Sequence, residues 1–256
     1  MSKKKKQKAS KKPPLTKSSI QELCESRDGG QIALRGYSYQ FLYSCNLILS
    51  SDTNMIFTLE GIEDIDTIKS SDGNKIITHI QLKYSTQRQD ASFMDGVLKN
   101  YLEAYLIDKN RHFKLVYDFS VAAGNLNKLF SGNLDKTSKE FWKTKIDNIK
   151  KKTSLWNWSN FDFEDFIQRL SFENVKKNSL ENSIEELLIK NYEINTDNIS
   201  LFANGIKLLC FDKMESRGEI SHHEITQCIE EIKFDISKGP QNPAHAWIQR
   251  LMQPMQ

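Results

Sequence analysis

The chain has 256 residues, of which 38% are hydrophobic, including 14 Phe, 8 Tyr and 4 Trp; this is enough for one sizeable core, or a core with a small appended domain. No stretch approaches the roughly 18 apolar residues of a membrane-spanning helix, and the Lys-rich start lacks the apolar segment of a signal peptide. Cys24, Cys45, Cys210 and Cys228 show neither metal-ligand spacing nor a paired pattern. We therefore expect a cytoplasmic protein with reduced thiols and no membrane partner.

The net charge of +3 is unevenly distributed, because residues 1–20 hold eight lysines and no acids, and the remaining chain therefore carries −5. Residues 1–19 have the composition of a disordered tail, which either contacts phosphates non-specifically or only solubilises the chain. Since the body is mildly acidic, any affinity for DNA must come from a local basic groove, the tail, oligomerisation or a partner. The tail lysines predicted to contact nucleic acid are Lys3, Lys4, Lys5, Lys6, Lys8, Lys11 and Lys12.

The first ordered elements are predicted to be helical. A short helix over 20–27 is followed by Asp28-Gly29-Gly30, and a longer helix then runs to about Ser50. Its apolar stripe at steps of three and four residues predicts a face buried in the core, and comprises Leu34, Tyr37, Phe41 and Ile48.

Residues 55–84 are predicted to form a β-hairpin. The outgoing strand consists of two short runs, 55–60 and 65–69, the Asp72-Gly73 pair is a strong turn signal, and residues 75–84 return. With a two-residue turn, Asp64 lies opposite Gln81 and Asp66 lies opposite His79, with Cβ atoms about 5 Å apart. Because side chains alternate along a strand, Lys83 shares the face of Gln81, and the other face of the return strand carries Ile76, Ile80 and Leu82 for the core.

This arrangement predicts a metal site, because a carboxylate and an amide oxygen can hold Mg²⁺ or Mn²⁺ beside an amine. Asp64 is the first candidate ligand on register, and Gln81 completes the site through its amide oxygen or the Leu82 carbonyl. Glu60 and Asp66 are alternative acids, with Glu60 reaching the ion if Gly61 marks a bulge. Glu63 is expected to point to solvent. The alternative is an ordinary hairpin with a solvated polar face.

The remaining pattern predicts an amphipathic helix over 91–108, a strand over 112–121, and then helices over 127–130, 138–152, 161–170, 179–192 and 197–213. A last helix follows Ser221, whose spacing to Glu224 is typical of a capping box. The basic run around 143–152 precedes Trp156 and Trp158; it either contacts a nucleic-acid backbone or forms a solvated helix face. We expect residues 131–256 to be a mostly helical appendage that covers the sheet, binds a partner or builds an oligomer.

Three segments in this order resemble the motifs of PD-(D/E)xK nucleases. The sequences 60–66 (Glu-Gly-Ile-Glu-Asp-Ile-Asp) and 79–84 (His-Ile-Gln-Leu-Lys-Tyr) are similar to the acid and Gln-x-Lys motifs, and 29–40 resembles the opening helix of one branch. That branch comprises nuclease domains of bacterial antiphage effectors, including CD-NTase-associated (CBASS) nucleases and nuclease subunits of Lamassu-type systems. The motif-bearing similarity covers roughly residues 28–125 and continues more weakly to the C-terminus. Gln81 departs from the acid usual in the superfamily, and a neutral ligand weakens metal binding.

The resemblance implies a restriction-endonuclease-like αβββαβ core with a mixed sheet over 20–130. It also implies that Asp64, Gln81 and Lys83 are catalytic and that Gln40 on the opening helix supports them. The alternative for Gln40 is a half-buried helix glutamine that caps a backbone group. The implied function is a metal-dependent endonuclease that hydrolyses double-stranded DNA in a bacterial cytoplasm, as the effector of an antiphage system.

Family members are activated through association, and the chain ends without room for a large sensor domain after the appendage. We therefore expect a separate sensor subunit, such as an SMC-like or helicase-like ATPase, and an active homo-oligomer. The alternative function is a non-catalytic subunit that tethers DNA or a partner. A Walker-type ATPase or kinase is set aside because the sequence has no Gly-rich phosphate loop.

Overall fold

A computed structural model describes residues 29–71 and 74–238, so the Lys-rich tail, the predicted helix over 20–27 and the Asp72-Gly73 turn lie outside the described residues. The chain divides into two compact units at Arg35. Of the first unit only the start of the opening helix is described, and all other described elements lie in the unit that begins at Gly36. Within the described ranges, no helix is long and apolar enough to cross a membrane.

The helices are α1 (Gly29–Ser50), α2 (Met94–Ile107), α3 (Asn125–Phe130), α4 (Lys136–Lys152), α5 (Phe163–Gln168), α6 (Lys177–Tyr192), α7 (Ile199–Ser216) and α8 (His222–Ser237). The strands are β1 (Met55–Leu59), β2 (Ile65–Ser71), β3 (Asn74–Tyr84), β4 (His112–Asp118), β5 (Leu170–Asn174) and β6 (Glu219–Ser221).

The six strands form one mixed sheet in the order β5-β4-β3-β2-β1-β6. β3, β4 and β5 run parallel, whereas β2, β1 and β6 join by antiparallel pairing. The sequence α1-β1-β2-β3-α2-β4 follows the predicted αβββαβ order, and the predicted mixed sheet is confirmed. The hairpin register is also confirmed, since Ser71 lies opposite Asn74 and Asp66 opposite His79.

Three predictions about elements were wrong. The runs over 55–60 and 65–69 are two strands that pair antiparallel with each other, and not one outgoing strand, because the chain reverses direction over residues 60–64. The predicted helix over 161–170 is shortened to α5 and is followed directly by strand β5. Neither β5 nor β6 was predicted, because both strands are short and are defined by pairing with a strand that is distant in the sequence. Leu34 and Tyr37 are 70% and 60% exposed, so the buried stripe of α1 begins only at Tyr39.

Helices cover both faces of the sheet. On one face, here called the apolar face, Phe57, Leu59, Ile65, Ile80 and Leu82 are buried against α1, α6, α7 and α8. On the other face, Phe113 and Leu115 pack against α2, α3, α4 and α5. Ile76 was expected in the core with Ile80 but is 43% exposed; it lies near the start of β3 and does not belong to the buried cluster of the apolar face.

The region after residue 130 contributes to the same sheet and cores. β5 and β6 form its two edges, and α6, α7 and α8 pack on the apolar face together with α1. The predicted capping box at the start of α8 is present, since Ser221 Oγ accepts from the Glu224 N–H while Glu224 Oε2 accepts from the Ser221 N–H at 2.9 Å. The domain boundary placed at residue 130 stays a prediction.

Candidate functional site

A tight turn over residues 60–64 joins β1 to β2 and carries three of the acidic side chains. The Glu60 N–H donates to the Asp64 carbonyl at 3.0 Å, which closes the turn, and Glu60 adopts a left-handed φ of 55°. A Cβ at Gly61 would overlap Asp66 Oδ2, so any larger residue at this position requires the Asp66 side chain to move.

Asp66 fixes this turn to the sheet. Its Oδ2 accepts from the Ile62 N–H at 2.7 Å, and its Oδ1 lies 2.6 Å from Nδ1 of the fully buried His79. His79 Nε2 lies 2.8 Å from Arg111 Nη1, and because a guanidinium only donates, Nε2 accepts and Nδ1 donates to Asp66. These hydrogen bonds use both oxygens of Asp66, which was predicted as a supporting acid and here positions the turn.

Asp64 and Gln81 meet as the register predicts. Gln81 Nε2 donates to Asp64 Oδ2 at 3.1 Å, and the Leu82 N–H donates to the same oxygen at 2.5 Å. Both hydrogen bonds fall on Oδ2, so Oδ1 is the oxygen of Asp64 that a cation would take. Since the nitrogen of the Gln81 amide faces Asp64, its oxygen Oε1 is the atom through which Gln81 would act as a ligand.

Lys83 lies two residues beyond Gln81 on the same face of β3 and is half-buried. Among the described residues no carboxylate lies within 4.0 Å of Lys83 Nζ, the limit for an ion pair. Burial raises the pKa of Glu63, and the Lys83 charge partly opposes that rise. The amine is thus held near the acids without being neutralised by one of them.

Glu63 is the residue that sequence reasoning missed, because it was expected to point to solvent. Its side chain is only 7% exposed, and burial raises its pKa to about 7, with a further increase from the neighbouring Asp64 charge; Asn100 and Lys83 partly oppose the shift. Its Oε1 is buried and accepts no hydrogen bond from the described residues. Four acids within the seven residues 60–66 were the available signal, but burial of one of them depends on how the turn folds.

Gln40 of α1 reaches this region through Glu60. Gln40 is 7% exposed and its Nε2 donates to Glu60 Oε1. Burial raises the pKa of Glu60, with a smaller contribution from the Asp64 charge, whereas the Gln40 hydrogen bond lowers it. The structure therefore brings Gln40 and Glu60 together, but Glu60, a predicted metal ligand, already has one oxygen engaged by Gln40.

The donor set fits a hard divalent cation that keeps part of its water shell. Glu63 and Asp64 offer one carboxylate oxygen each, and Gln81 offers a neutral amide oxygen. The Glu63 oxygen is buried and has no hydrogen-bond partner in the described ranges. Across the described part of the chain, no three His, Cys, Asp or Glu side chains are grouped to hold a metal ion by themselves. Water and neutral ligands would fill the remaining positions, as Mg²⁺ accepts and Zn²⁺ in a structural site does not.

No protein-family model matches the sequence, and no curated protein matches it significantly. Solved structures do share the fold: the Cap4 SAVED/CARF-domain containing receptor of Acinetobacter baumannii superposes with a TM-score of 0.53 at 14% identity, over 79% of this chain and 48% of the receptor. The same receptor with the cyclic trinucleotide 3'3'3'-cAAA gives 0.53 at 14% identity, over 79% and 49%. The Moraxella osloensis receptor gives 0.50 at 14%, over 77% and 47%. The chain thus spans about half the length of these receptors.

Proposed function

We propose that this chain is a metal-dependent endodeoxyribonuclease with a restriction-endonuclease-like core, acting as the effector of a bacterial antiphage defence system. The observation that carries the proposal is the grouping of Asp64, Glu63, Gln81 and Lys83 at one end of the β2–β3 hairpin. The fold shared with Cap4 receptors supports the defence setting, since those proteins are receptors and one of the structures contains a cyclic trinucleotide.

Each side chain has a role in phosphodiester hydrolysis. Glu63 and Asp64 would hold Mg²⁺ or Mn²⁺ with Gln81, and the ion when bound supplies a more acidic water and Lewis-acid stabilisation of the phosphate. Lys83 would orient the attacking water and stabilise the negative charge that develops on the phosphate oxygens. The water oxygen forms the new bond to phosphorus, the bond to the leaving sugar oxygen breaks, and that oxygen takes a proton.

Asp66, His79 and Arg111 would act by positioning. They hold the turn that carries Glu63 and Asp64 against β3, so the two carboxylates keep their place although like charges repel each other. Because buried hydrogen bonds already fix this turn, it loses little conformational freedom when it binds a metal ion.

Regulation would come from outside the site. An endonuclease that cleaves double-stranded DNA must be inactive until infection, and we propose that a separate sensor or ATPase subunit, SMC-like or helicase-like, delivers the signal and assembles the chain into an active homo-oligomer.

The test is incubation of the purified full-length chain with supercoiled plasmid, at high chain concentration, in Mg²⁺ or Mn²⁺ and in EDTA. We expect nicked and linear DNA with metal, none in EDTA, and unchanged DNA binding with loss of cleavage in Lys83→Ala. Lys75→Ala is the matched control, since Lys75 is an exposed lysine on the same strand. Equal cleavage by wild type and Lys83→Ala, or cleavage in EDTA, contradicts the proposal; a tethering subunit would bind DNA equally in all these proteins and cleave in none.

A further inference from the structure

A cleft with a volume of about 460 Å³ lies between α2 and α4 and is strongly basic. Lys99 of α2 faces Lys145, Lys151 and Lys152 of α4 across it, and Asp95 is the single acid among the residues that line it. Four positive charges against one negative charge leave the cleft at +3, although the chain beyond residue 20 is acidic.

The lysines of the cleft differ from many others in the chain. Asp95 pairs with Lys145, but Lys99, Lys151 and Lys152 have no carboxylate within 4.0 Å in the described ranges. Elsewhere surface lysines are neutralised, as in the pairs of Lys69 with Asp52 at 2.6 Å and Lys213 with Glu224 at 2.6 Å. Unpaired ammonium groups that face one another repel, so their grouping favours an anionic ligand.

A helix-terminus effect accounts for part of this cluster only. Lys150, Lys151 and Lys152 form the last turn of α4, where positive charge interacts favourably with the helix dipole. That effect does not explain why Lys99, from another helix, points into the same cleft, nor why Asn148 and Thr153 line it with further polar groups.

Helix α2 connects the cleft with the carboxylate site. Lys99 lines the cleft, and the next residue, Asn100, interacts with the buried Glu63. Successive residues on a helix point about 100° apart, and a helix with its side chains is about 10–12 Å across. The basic cleft and the carboxylate site therefore lie on neighbouring sides of one helix, a separation that a duplex with a phosphate every ~1.7 Å of its axis spans easily.

We infer that this cleft binds the phosphate backbone of double-stranded DNA next to the phosphate that occupies the carboxylate site. The position of the DNA rests on the proposed function, but the phosphate binding itself does not. The cleft supplies the local basic groove that an acidic body needs, because each neutralised phosphate releases condensed counterions and adds affinity independently of sequence.

The test measures binding of a short fluorescent DNA duplex to the full-length chain in EDTA, over a series of salt concentrations. We expect Lys99→Ala/Lys151→Ala/Lys152→Ala to reduce the slope of log affinity against log salt by about 0.9 for each lysine in contact, so by about two to three in all. The charge-conserving Arg variant of the same three positions should keep the slope and shows that the cleft still folds.

A charge-matched control removes Lys190, Lys233 and Lys238, which lie on or just after α6 and α8, the helices that cover the apolar face. Equal slopes for the two Ala variants, or a wild-type chain that binds no duplex, would overturn the inference. A reduced slope for the Lys99/Lys151/Lys152 variant, together with equal plasmid cleavage by wild type and Lys83→Ala, would support the cleft and contradict the nuclease site, so the two failures are distinguishable.

Discussion

Along strand β3, Ile80 and Leu82 lie on one face of the sheet, and His79, Gln81 and Lys83 lie on the other. Ile80 and Leu82 are 3% and 6% exposed and lie in a hydrophobic core. His79 and Gln81 are buried just as well, at 0% and 7%, but His79 is hydrogen-bonded to Asp66 and Gln81 to Asp64. At these four positions the two faces of β3 are equally buried, yet only one of them carries polar side chains.

A buried polar group costs roughly 1–3 kcal/mol when it lacks a hydrogen bond, so a fold that needs only stability would place apolar side chains on both faces. The polar face instead holds hydrogen-bonded groups and one carboxyl oxygen of Glu63 that has no partner among the described residues. Residues on the apolar face stabilise the sheet, whereas the polar residues are held by the sheet for another purpose. Substitutions on the apolar face should therefore lower stability, and a substitution such as Lys83→Ala on the polar face should lower activity.

The largest loss of stability is expected on the apolar face. Ile80→Ala removes a side chain that is 3% exposed, and the lost burial and residual cavity should lower the free energy of unfolding by about 2–5 kcal/mol. Ile76→Ala on the same strand, where Ile76 is 43% exposed, should cost well under half as much. Urea unfolding followed by circular dichroism measures both, and equal losses would show that the apolar face is not the stabilising one.

Lys83→Ala should show the reverse pattern. Loss of a group that stabilises developing negative charge should lower the rate of cleavage by about 10²–10³-fold. Because Lys83 forms no ion pair with a described residue, the free energy of unfolding should stay within about 0.5 kcal/mol of wild type. Initial rates of plasmid cleavage and urea unfolding are compared, and a variant that loses stability but not activity would place Lys83 with the structural residues.

Glu63→Gln should stabilise the metal-free chain at high pH. The folded-state pKa of about 7 lies above the ordinary value of 4.5, so the folded chain binds the proton more tightly and the wild type loses stability as the pH rises from about 4.5 to about 7. Because an amide at this position cannot ionise, the advantage of the variant should be near zero at pH 4.5 and reach up to about 3 kcal/mol above pH 7. Thermal unfolding in EDTA across this pH range measures the difference, with Glu103→Gln as the exposed control; an advantage that shrinks with rising pH would contradict the burial of Glu63.

Gly61→Ala should weaken the turn. The new Cβ would overlap Asp66 Oδ2, so Asp66 must move and its hydrogen bonds to Ile62 and His79 are strained, at about 1–3 kcal/mol. Gly96→Ala is the matched control, since nothing lies within 4 Å of a Cβ there and alanine favours the helix α2 by up to about 1 kcal/mol. Denaturant unfolding should move in opposite directions for the two variants, and a neutral Gly61→Ala would show that the turn is not fixed through Asp66.

The sequence predicts the hairpin well, because an Asp-Gly turn and strict alternation fix the register of β2 against β3 and place Asp64 beside Gln81. It does not predict the reversal between β1 and β2, which depends on a left-handed Glu60 and on a glycine held against Asp66. Nor does it predict the burial of Glu63, since that depends on the chain reversal over residues 60–64 and on helix α2, whose Asn100 interacts with Glu63. Strands β5 and β6 cannot be predicted for a similar reason, because long-range pairing defines them and the local sequence pattern does not.

The most direct test of the carboxylate site is a calorimetric titration of Mn²⁺ into the metal-free, full-length chain, which needs neither DNA nor an activating partner. We predict one ion per chain for wild type and for Lys83→Ala, weakened binding for Glu63→Gln, and loss of binding for Asp64→Asn. The control Glu103→Gln should titrate as wild type. Identical titrations for wild type and Asp64→Asn, or no binding by a wild-type chain shown to be folded, would contradict the account.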